Sequence, residues 1–281
     1  MTIEAPAKVN LVLRLRGKRP DGFHEIETLM VPLTLADKLD VTISDGDGVV
    51  LTCDALSLPT DATNLAHRAA VAFAGATGRV FRTTIHLQKK IPSGAGLAGG
   101  SSDAAAVLLA LNELLETHLA TEELEIIAGT LGSDVPFFVR REAAWCRGRG
   151  EIIEPAPPPP RWNLLLVKPP FPVPTAWAYQ AWAASTQVSA NAVWHDGIEL
   201  ANDLELPVFS KYLLLPVLKH WLAAQPGVSA CMMSGSGSTL FAIVDSGAQM
   251  LASRVREEFG ETMWTHACST DARHPQEALK P

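Results

Sequence analysis

Apolar and polar side chains alternate along several short stretches of the chain, which is the pattern of strands with one buried face. Over residues 7–16 the apolar side chains occupy every second position, and Lys8 and Asn10 share the opposite face. Asp45–Gly48 marks a hairpin tip. The first strand therefore directs Lys8 and Asn10 towards one common space. Further strands are predicted over 26–31, 39–43, 81–88, 162–167, 227–233 and 239–244.

Other segments have the 3.6-residue apolar period of helices. Helices are predicted over 64–73, 101–115, 121–128, 175–184, 207–224 and 248–259, with an interruption near Pro216. Residues 155–160 hold five prolines, which make a stiff, extended segment that does not join a sheet. We therefore expect an α+β protein of two domains, 1–154 and 155–281, with a cleft between them. The polar tail from Thr270 onward is expected to be loose.

Composition narrows the classes of function. The net charge of −7 disfavours a nucleic-acid partner, because nucleic-acid binders are usually basic. Four scattered cysteines without a C-x-x-C pair indicate reduced thiols. The sequence shows neither a signal-peptide pattern nor an apolar run of membrane-spanning length. We expect a cytoplasmic protein, monomeric or weakly dimeric, with no nucleic-acid or membrane partner.

The segment Pro92–Asp103 is rich in small residues and lies between a predicted strand and a predicted helix. Backbone amides of such a loop can surround one anion, and the helix N-terminus adds the positive end of its dipole. The P-loop pattern is absent because no lysine follows the glycines. A dinucleotide fingerprint is disfavoured because the loop lies a third of the way along the chain. A phosphate cradle and a plain glycine turn both stay open from the loop alone.

Three other features each have a chemical and a structural interpretation. Lys8 is either a point charge for a phosphoryl group or a solvated lysine at a sheet edge. Asp134 follows a Gly-Ser turn and precedes apolar residues. It is either a general base for a substrate hydroxyl or the cap of a turn or helix. The second glycine loop, Ser234–Ser238, either contacts the same anion as the first or is a hairpin turn.

Aromatic residues suggest a site for a flat ring. Phe23 and His24 follow a tight turn, and Tyr179 lies beyond a proline-rich loop of the second domain. Such side chains can clamp a base between two domains, or they can be ordinary core and rim residues. His24 has no partner at metal-ligand spacing, which disfavours a metal site there.

Six segments carry a family resemblance. Three resemble the motifs of the GHMP kinases, which include galactokinase, homoserine kinase and mevalonate kinase: Ala5–Leu11, Pro92–Ser102 and Met233–Gly237. Three more resemble the members that phosphorylate a cytidine-diphosphate derivative of methylerythritol in the non-mevalonate route to isoprenoids: Arg19–Glu25, Gly132–Phe138 and Asn202–Glu205. The resemblance implies a two-domain α+β GHMP kinase fold. Its ATP-binding half, over 1–154, would resemble ribosomal protein S5 domain 2, and its substrate-binding half, over 155–281, would be ferredoxin-like.

The resemblance also implies roles for individual residues. Asp134 would take the proton of the substrate's C2 hydroxyl, and Lys8 would orient Asp134 and offset charge on the phosphoryl group. Mg²⁺ would accompany ATP, with Ser102 as a contact. The cytidyl substrate would be bound by Asn10, Phe23, His24, Thr175 and Tyr179. ATP would be bound by Asn64, Lys89, Pro92, Gly94, Ala95, Gly96, Leu97, Ala98, Gly99, Gly100, Ser101 and Ser102.

Two residues depart from the family pattern, since Phe23 stands where Tyr is usual and Ala98 where Gly is frequent.

The sequence leaves two alternatives to a kinase for the cytidyl substrate. One is a GHMP kinase for another acceptor, such as mevalonate, homoserine or a sugar, and the aromatic residues weigh against it. The other is an inactive relative that only binds or regulates, and the presence of Lys8, Asp134 and both glycine loops weighs against that.

Overall fold

The computed structural model describes residues 1–185 and 192–271, in which twelve strands and eight helices form. The strands are β1 (Thr2–Lys18), β2 (His24–Ser44), β3 (Gly48–Cys53), β4 (Arg82–Gln88), β5 (Ala144–Gly148), β6 (Ile152–Pro155), β7 (Asn163–Lys168), β8 (Val193–His195), β9 (Ile198–Asn202), β10 (Val228–Met233), β11 (Leu240–Val244) and β12 (Trp264–Ser269). The helices are α1 (Leu65–Thr77), α2 (Gly99–Leu114), α3 (Thr121–Gly129), α4 (Val135–Arg140), α5 (Thr175–Ala183), α6 (Glu205–Lys211), α7 (Leu214–Ala223) and α8 (Ala248–Phe259).

The larger sheet is built around two long antiparallel strands, β1 and β2. The second edge of β2 is shared, because β5 pairs with its first part and β4 with its last part. β3 adds to β4 in parallel, and the β8–β9 hairpin adds to the other edge of β1. The order is therefore β3-β4-β2-β1-β9-β8, with β5 and β6 beside the start of β2. Two strands that follow the proline segment thus belong to the sheet of the first half.

The smaller sheet is antiparallel, in the order β10-β11-β7-β12. With helices between β7 and β10 and again between β11 and β12, this is the split βαβ arrangement of ferredoxin-like folds. Its strands are apolar at most positions because both of its faces are covered. Leu165 and Val167 pack in the cluster with α5–α8, whereas Leu164 and Leu166 pack against the larger sheet.

A continuous apolar layer lies between the two sheets. Val9 and Leu11 of β1 meet Leu166 and Phe241 of the smaller sheet in this layer, and all four are fully buried. Burying one such side chain stabilises the fold by about 1.5–3 kcal/mol. The layer therefore holds the two halves of the chain against each other and fixes the geometry of the site between them.

The structure differs from the predicted elements at several places. The predicted strands 26–31 and 39–43 are parts of one strand, β2, because β1 pairs with the residues between them as well. The helical break falls at Tyr212 and Leu213 instead of near Pro216. Pro216 lies in the first turn of α7, where no intrahelical bond needs its missing amide proton. Pro155, assigned to the stiff linker, is the last residue of β6 and pairs with Ala144.

Two sequence predictions concern membranes and the tail. Among the described residues, no helix combines the length and the apolar character that crossing a bilayer requires. The tail predicted to be loose falls mainly on residues 272–281, which lie outside the described residues. Thr270 itself is buried, and its hydroxyl accepts a hydrogen bond from the Trp162 amide at 2.9 Å.

Candidate active site

A cavity of about 480 Å³ lies where the two halves meet, beside the first glycine loop. Fifteen of the predicted site residues line it: Lys8, Asn10, Asn64, Lys89, Pro92, Gly94, Ala95, Gly96, Ala98, Gly99, Gly100, Ser101, Asp134, Thr175 and Tyr179. Within the described part of the chain, Leu97, Ser102, Phe23 and His24 are not among the lining residues. Leu97 and Ser102 are buried behind the loop. The structure therefore brings most of the predicted residues together.

Lys8 is buried on β1, with only 3% of the residue exposed. Its Nζ donates to Asn10 Oδ1 at 2.6 Å and to the Gly96 carbonyl at 3.1 Å, and it lies 3.9 Å from Asp134 Oδ2. Burial lowers the pKa of Lys8, and the charge of Asp134 opposes that effect. The ammonium is thus held between a strand, the glycine loop and a carboxylate, which excludes the solvated-edge interpretation.

Asp134 occupies the N-cap position of α4, yet its side chain caps no amide. Pro136 in the first turn favours the start of this helix without a capping side chain. The carboxylate instead faces Lys8, and 36% of the side chain is exposed. Burial and then the charge of Asp134 raise the pKa of the neighbouring Cys146 and Tyr179. The carboxylate is therefore directed into the site and accessible, as a general base requires.

The first glycine loop enters α2 through residues with left-handed backbone conformations. Gly96 has φ of +74°, and a Cβ there would lie 2.2 Å from the Ser234 carbonyl oxygen, so only glycine fits. Ala98 adopts φ of +54° at the N-cap of α2, which costs a residue with a Cβ about 1–2 kcal/mol. The glycine that is frequent in the family avoids this cost. The first turn of α2 has no capping side chain, so its amides are open to an anion.

The second glycine loop is both a hairpin turn and a wall of the cavity. It connects the antiparallel strands β10 and β11, and Gly235 and Ser236 line the cavity. Ser234 Oγ donates to the Gly96 carbonyl at 2.9 Å, which joins the two loops. Asn202 Nδ2 donates to the carbonyls of Met233 and Gly235 at 2.7 and 2.8 Å. Asn202, one of the residues that carried the resemblance, thus holds the second loop in place.

Aromatic side chains gather at the acceptor end of the predicted site. The rings of Tyr179 and His24 have centroids 5.4 Å apart. His24 Nε2 is buried and has no hydrogen-bond partner among the described residues. Burial, followed by the charge of Lys18, lowers the pKa of His24, so its imidazole is neutral at pH 7. Phe23 is 51% exposed, and the Arg149 guanidinium lies 4.9 Å from its ring centroid.

Two predicted site residues also stabilise local structure. Asn64 is the N-cap of α1: its Oδ1 accepts from the Ala66 amide at 2.9 Å, and its Nδ2 donates to the Pro59 carbonyl at 2.8 Å. The Thr175 hydroxyl, at the start of α5, lies 3.0 Å from the Ser236 hydroxyl. A side-chain amide has further donor and acceptor capacity, so the capping role leaves Asn64 able to contact a ligand.

Three further residues shape the site without having been predicted. Thr28 accepts a hydrogen bond from Asn10 Nδ2 at 2.8 Å and thereby orients Asn10. Asp37 is fully buried and pairs with Lys89, which also pairs with Asp103 on α2. Asp37 is detectable from the sequence as a carboxylate within the apolar run of β2. Because a buried charge requires a partner, such a residue indicates a buried ion pair.

Known proteins are similar to this chain over most of its length. Residues 64–142 match the GHMP kinases N terminal domain, and residues 190–261 match the GHMP kinases C terminal domain. The 4-diphosphocytidyl-2-C-methyl-D-erythritol kinase of Methylacidiphilum infernorum is 46% identical over 244 residues, which cover 85% of this chain and 84% of that protein. The chain belongs to this kinase family, within the GHMP superfamily. The same-named protein of Geobacter metallireducens is 40% identical over 254 residues, covering 88% of this chain and 90% of that protein. The predicted family and the kinase class are thereby confirmed.

Solved structures confirm the fold that the resemblance implied. A crystal structure of 4-(cytidine 5'-diphospho)-2C-methyl-D-erythritol kinase aligns with a TM-score of 0.80 at 34% identity, covering 96% of this chain and 100% of that one. Homoserine kinase from Cytophaga hutchinsonii aligns at 0.66 with 19% identity, over 97% of this chain and 95% of that one. The Methanococcus jannaschii mevalonate kinase aligns at 0.61 with 12% identity, over 96% and 98%. The last two share the two-domain GHMP kinase fold alone.

Proposed function

We propose that this kinase transfers the γ-phosphoryl group of ATP to the C2 hydroxyl of 4-diphosphocytidyl-2-C-methyl-D-erythritol. The observation that carries the proposal is the Asp134 carboxylate, 3.9 Å from the buried Lys8 ammonium and beside the glycine loop. Family membership supports the choice of acceptor. Phosphoryl transfer asks chiefly for positioning and for stabilisation of spread negative charge, and the lining of this cavity offers both.

Asp134 and Lys8 divide the chemistry between them. Asp134 accepts the proton of the C2 hydroxyl as the hydroxyl oxygen forms its bond to the γ-phosphorus. The bond from that phosphorus to the oxygen bridging the β- and γ-phosphates breaks, and ADP leaves with the electron pair. Lys8 orients Asp134 and offsets charge on the phosphoryl group. Asn10 and the Gly96 carbonyl fix the Lys8 ammonium in place for this role.

The first glycine loop is the proposed ATP site. Its residues 94–101 and the open first turn of α2 present backbone amides to the phosphates. Pro92, Asn64 and Lys89 line the same cavity and would lie near the rest of the nucleotide. Leu97 would contribute through its backbone, because its side chain is buried in the layer between the sheets. The two glycine loops contact each other, so the cradle is braced before ATP arrives.

Ser102 has the chemistry of a magnesium contact, although its buried hydroxyl lies behind the loop and is not among the groups that line the cavity. Its hydroxyl is buried and has no hydrogen-bond partner among the described residues. A hydroxyl oxygen is a ligand that Mg²⁺ accepts together with phosphate oxygens and water. Among these residues, no group of three or more His, Cys, Asp or Glu forms a metal cage. We therefore propose that Mg²⁺ arrives with ATP, and when bound it would neutralise phosphate charge.

Five residues would hold the acceptor substrate. Asn10, Thr175 and Tyr179 line the cavity, and Tyr179 also contacts His24. The unpartnered nitrogen of neutral His24 can exchange a hydrogen bond with the edge of cytosine. Phe23, next to it, keeps an exposed ring on which the base can stack. Cytosine would thus lie between Phe23 and Tyr179.

ADP release measured with three acceptors tests the proposal. Turnover with 4-diphosphocytidyl-2-C-methyl-D-erythritol and none above background with mevalonate or homoserine is the expected result. The aromatic acceptor end has no counterpart in those two molecules, which lack a flat base. Turnover with mevalonate or homoserine instead would replace this function by that of another GHMP kinase.

Several expectations from the sequence stay predictions. They are the cytoplasmic location, the absence of a nucleic-acid partner, the monomeric or weakly dimeric state, and the division into an ATP-binding half over 1–154 and a substrate-binding half over 155–281. The proposed acceptor residues come from both sides of that division, as Asn10 and Tyr179 illustrate. The boundary after residue 154 therefore does not separate the proposed ATP-binding residues from the proposed acceptor-binding residues.

A further inference from the structure

Residues 89–91 connect β4 to the first glycine loop. The backbone amide of each of these three residues donates a hydrogen bond to an aspartate carboxylate. Asp54 Oδ1 accepts from the Lys89 amide at 2.9 Å. Asp37 Oδ1 accepts from the amides of Lys90 and Ile91 at 2.6 and 2.8 Å. Asp37 comes from β2 and Asp54 from just beyond β3, so carboxylates outside the loop fix the path by which the chain enters it.

Asp37 also holds the side chain of Lys89. Its Oδ2 pairs with Lys89 Nζ, and the same Nζ donates to Asp103 Oδ2 at 2.7 Å. Asp103 lies on α2, four residues after the helix begins at Gly99. The Asp37–Lys89–Asp103 cluster therefore connects β2, the entry to the loop and the helix that follows it. Lys89 and Asp103 line the cavity, whereas Asp37 lies behind them.

The electrostatics of the cluster keep Lys89 in one position. Burial raises the pKa of Asp103, with Lys89 opposing the rise and Asp37 adding to it. Burial lowers the pKa of Lys89, but the charges of Asp103 and Asp37 outweigh this and raise it overall. A departing Lys89 would leave buried carboxylates without a counter-charge, which is costly. Its side chain is thus fixed before any ligand binds.

We propose that Asp37 is a positioning residue for ATP binding, which acts by fixing Lys89 and the entry to the glycine loop. This inference rests on the proposed function, because it takes the loop and Lys89 as the ATP site. A preformed loop binds more tightly than a mobile one, since less conformational freedom is lost on binding. The effect of Asp37 is therefore expected on the KM for ATP and not on the KM for the acceptor.

The substitution Asp37→Asn tests the proposal in the full-length enzyme. Asparagine keeps the size and an oxygen that can accept from the Lys90 and Ile91 amides, but it cannot neutralise Lys89. We expect the KM for ATP to rise roughly tenfold, as the loss of one charge-assisted contact gives, with an unchanged acceptor KM. Asp40→Asn is the matched control on the same strand, because Asp40 bonds Thr2 and Gln88 outside the cavity. Its kinetics should equal those of the wild type.

A double mutant separates positioning from general stability. If Asp37 acts through Lys89, Asp37→Asn combined with Lys89→Gln raises the KM for ATP no further than Lys89→Gln alone. Multiplied effects would overturn the proposal, and so would an unchanged ATP KM in an Asp37→Asn enzyme whose only defect is a lower Tm. If Asp37→Asn does not fold, Asp103→Asn replaces it with the same criteria. Absence of wild-type turnover on the cytidyl substrate would instead overturn the proposed function.

Discussion

Lys8 and Asp134 are distant in the sequence and meet only because β1 and the start of α4 border the same cavity. Both side chains are directed by contacts within the protein. Lys8 is fixed by Asn10 and Gly96, and Asp134 faces Lys8 instead of capping its own helix. At the scale of single residues, the pair allows the proposed base and the charge of the lysine to be tested separately.

Replacing the proposed base should abolish most turnover but keep nucleotide binding. Asp134→Asn is expected to lower kcat by roughly 10²–10⁴-fold, the usual contribution of a positioned base. ATP affinity, measured by titration calorimetry, should stay near the wild-type value, because Asp134 is not part of the glycine loop. Asp47→Asn, at the exposed hairpin tip, is the control. Near-normal turnover of pure Asp134→Asn would remove Asp134 from the mechanism.

The pH dependence of kcat should report the buried ammonium of Lys8. Burial lowers the pKa of Lys8 from its ordinary 10.5, with Asp134 opposing. As pH rises through this lowered pKa, Lys8 loses its proton and with it the charge proposed to stabilise the phosphoryl group. The alkaline decline in kcat should therefore begin at a pH lower than 10.5. In Lys8→Arg the charge persists at every pH used, so this alkaline decline should disappear even if kcat is lower. An identical decline in both proteins would assign it to another group.

At the scale of elements, the two glycine loops form one interlocked unit. In the sequence they are two similar candidates for contact with one anion, whereas in the structure the second loop braces the first. Ser234 donates to Gly96 from one side, and Asn202 fixes the second loop from the other. The spacing of the loops, and hence the shape of the proposed phosphate cradle, depends on glycine at their contact.

Adding one methyl group at that contact should damage the proposed ATP site. In Gly96→Ala the new Cβ would lie 2.2 Å from the Ser234 carbonyl oxygen, with a left-handed backbone besides. We expect a loss of about 2 kcal/mol or more in the free energy of unfolding, and a raised KM for ATP. Gly75→Ala, inside α1 with open space around it, is the control and should stabilise by about 0.5–1 kcal/mol. Equal denaturation midpoints and ATP KM values for Gly96→Ala and wild type would contradict this.

The local pattern of apolar residues predicted the long helices and the buried strands. It did not predict the elements whose formation depends on residues far away in the chain. The helix α8 appears at its predicted bounds because its apolar residues repeat with a helical period. The helix α2 and the strands β10 and β11 appear close to theirs because each is a continuous apolar run bounded by turn residues. α4 has only six residues, too few for a helical period, and β9 is specified by pairing with β1, far away in the chain.

The site shows the same division between local and distant signals. The glycine loop, Lys8 and Asp134 carry local signals or match motifs of a family. Their arrangement in one cavity supports the roles expected of them. The contact of Asp37 with Lys89 depends on the register between β2 and β4, which no local pattern encodes.

At the scale of the whole molecule, the two halves share a sheet and a buried layer, so they should unfold together. Just beyond β9, Asp203 accepts from the Leu15 amide at 2.9 Å and pairs with Arg14 at 2.8 Å. These contacts join the second half of the chain to β1. A single cooperative transition is therefore expected in calorimetry, in spite of the two matched domains.

Removing the Asp203 carboxylate should weaken both halves at once. Asp203→Ala leaves a partly buried arginine and a buried amide without this partner, which costs about 3 kcal/mol and lowers Tm by roughly 6–9 °C. Hydrogen exchange should accelerate in β4 and in β11 alike. Glu154→Ala, which removes an exposed partner of Arg147, is the control and should leave Tm nearly unchanged. Faster exchange confined to β11, or two separate calorimetric transitions, would show that the halves unfold independently.

The crossing of the β8–β9 hairpin into the first sheet has a consequence for protein engineering. A fragment cut after residue 154 would leave the edge of β1 around Val12 and Leu13 without its neighbour, and open edges invite aggregation. Chimeras between related enzymes with a single crossover in the proline segment would pair β1 of one parent with β9 of the other. Recombination that transfers residues 192–204 together with the amino-terminal segment would keep matched edges in register, at the expense of three junctions instead of one.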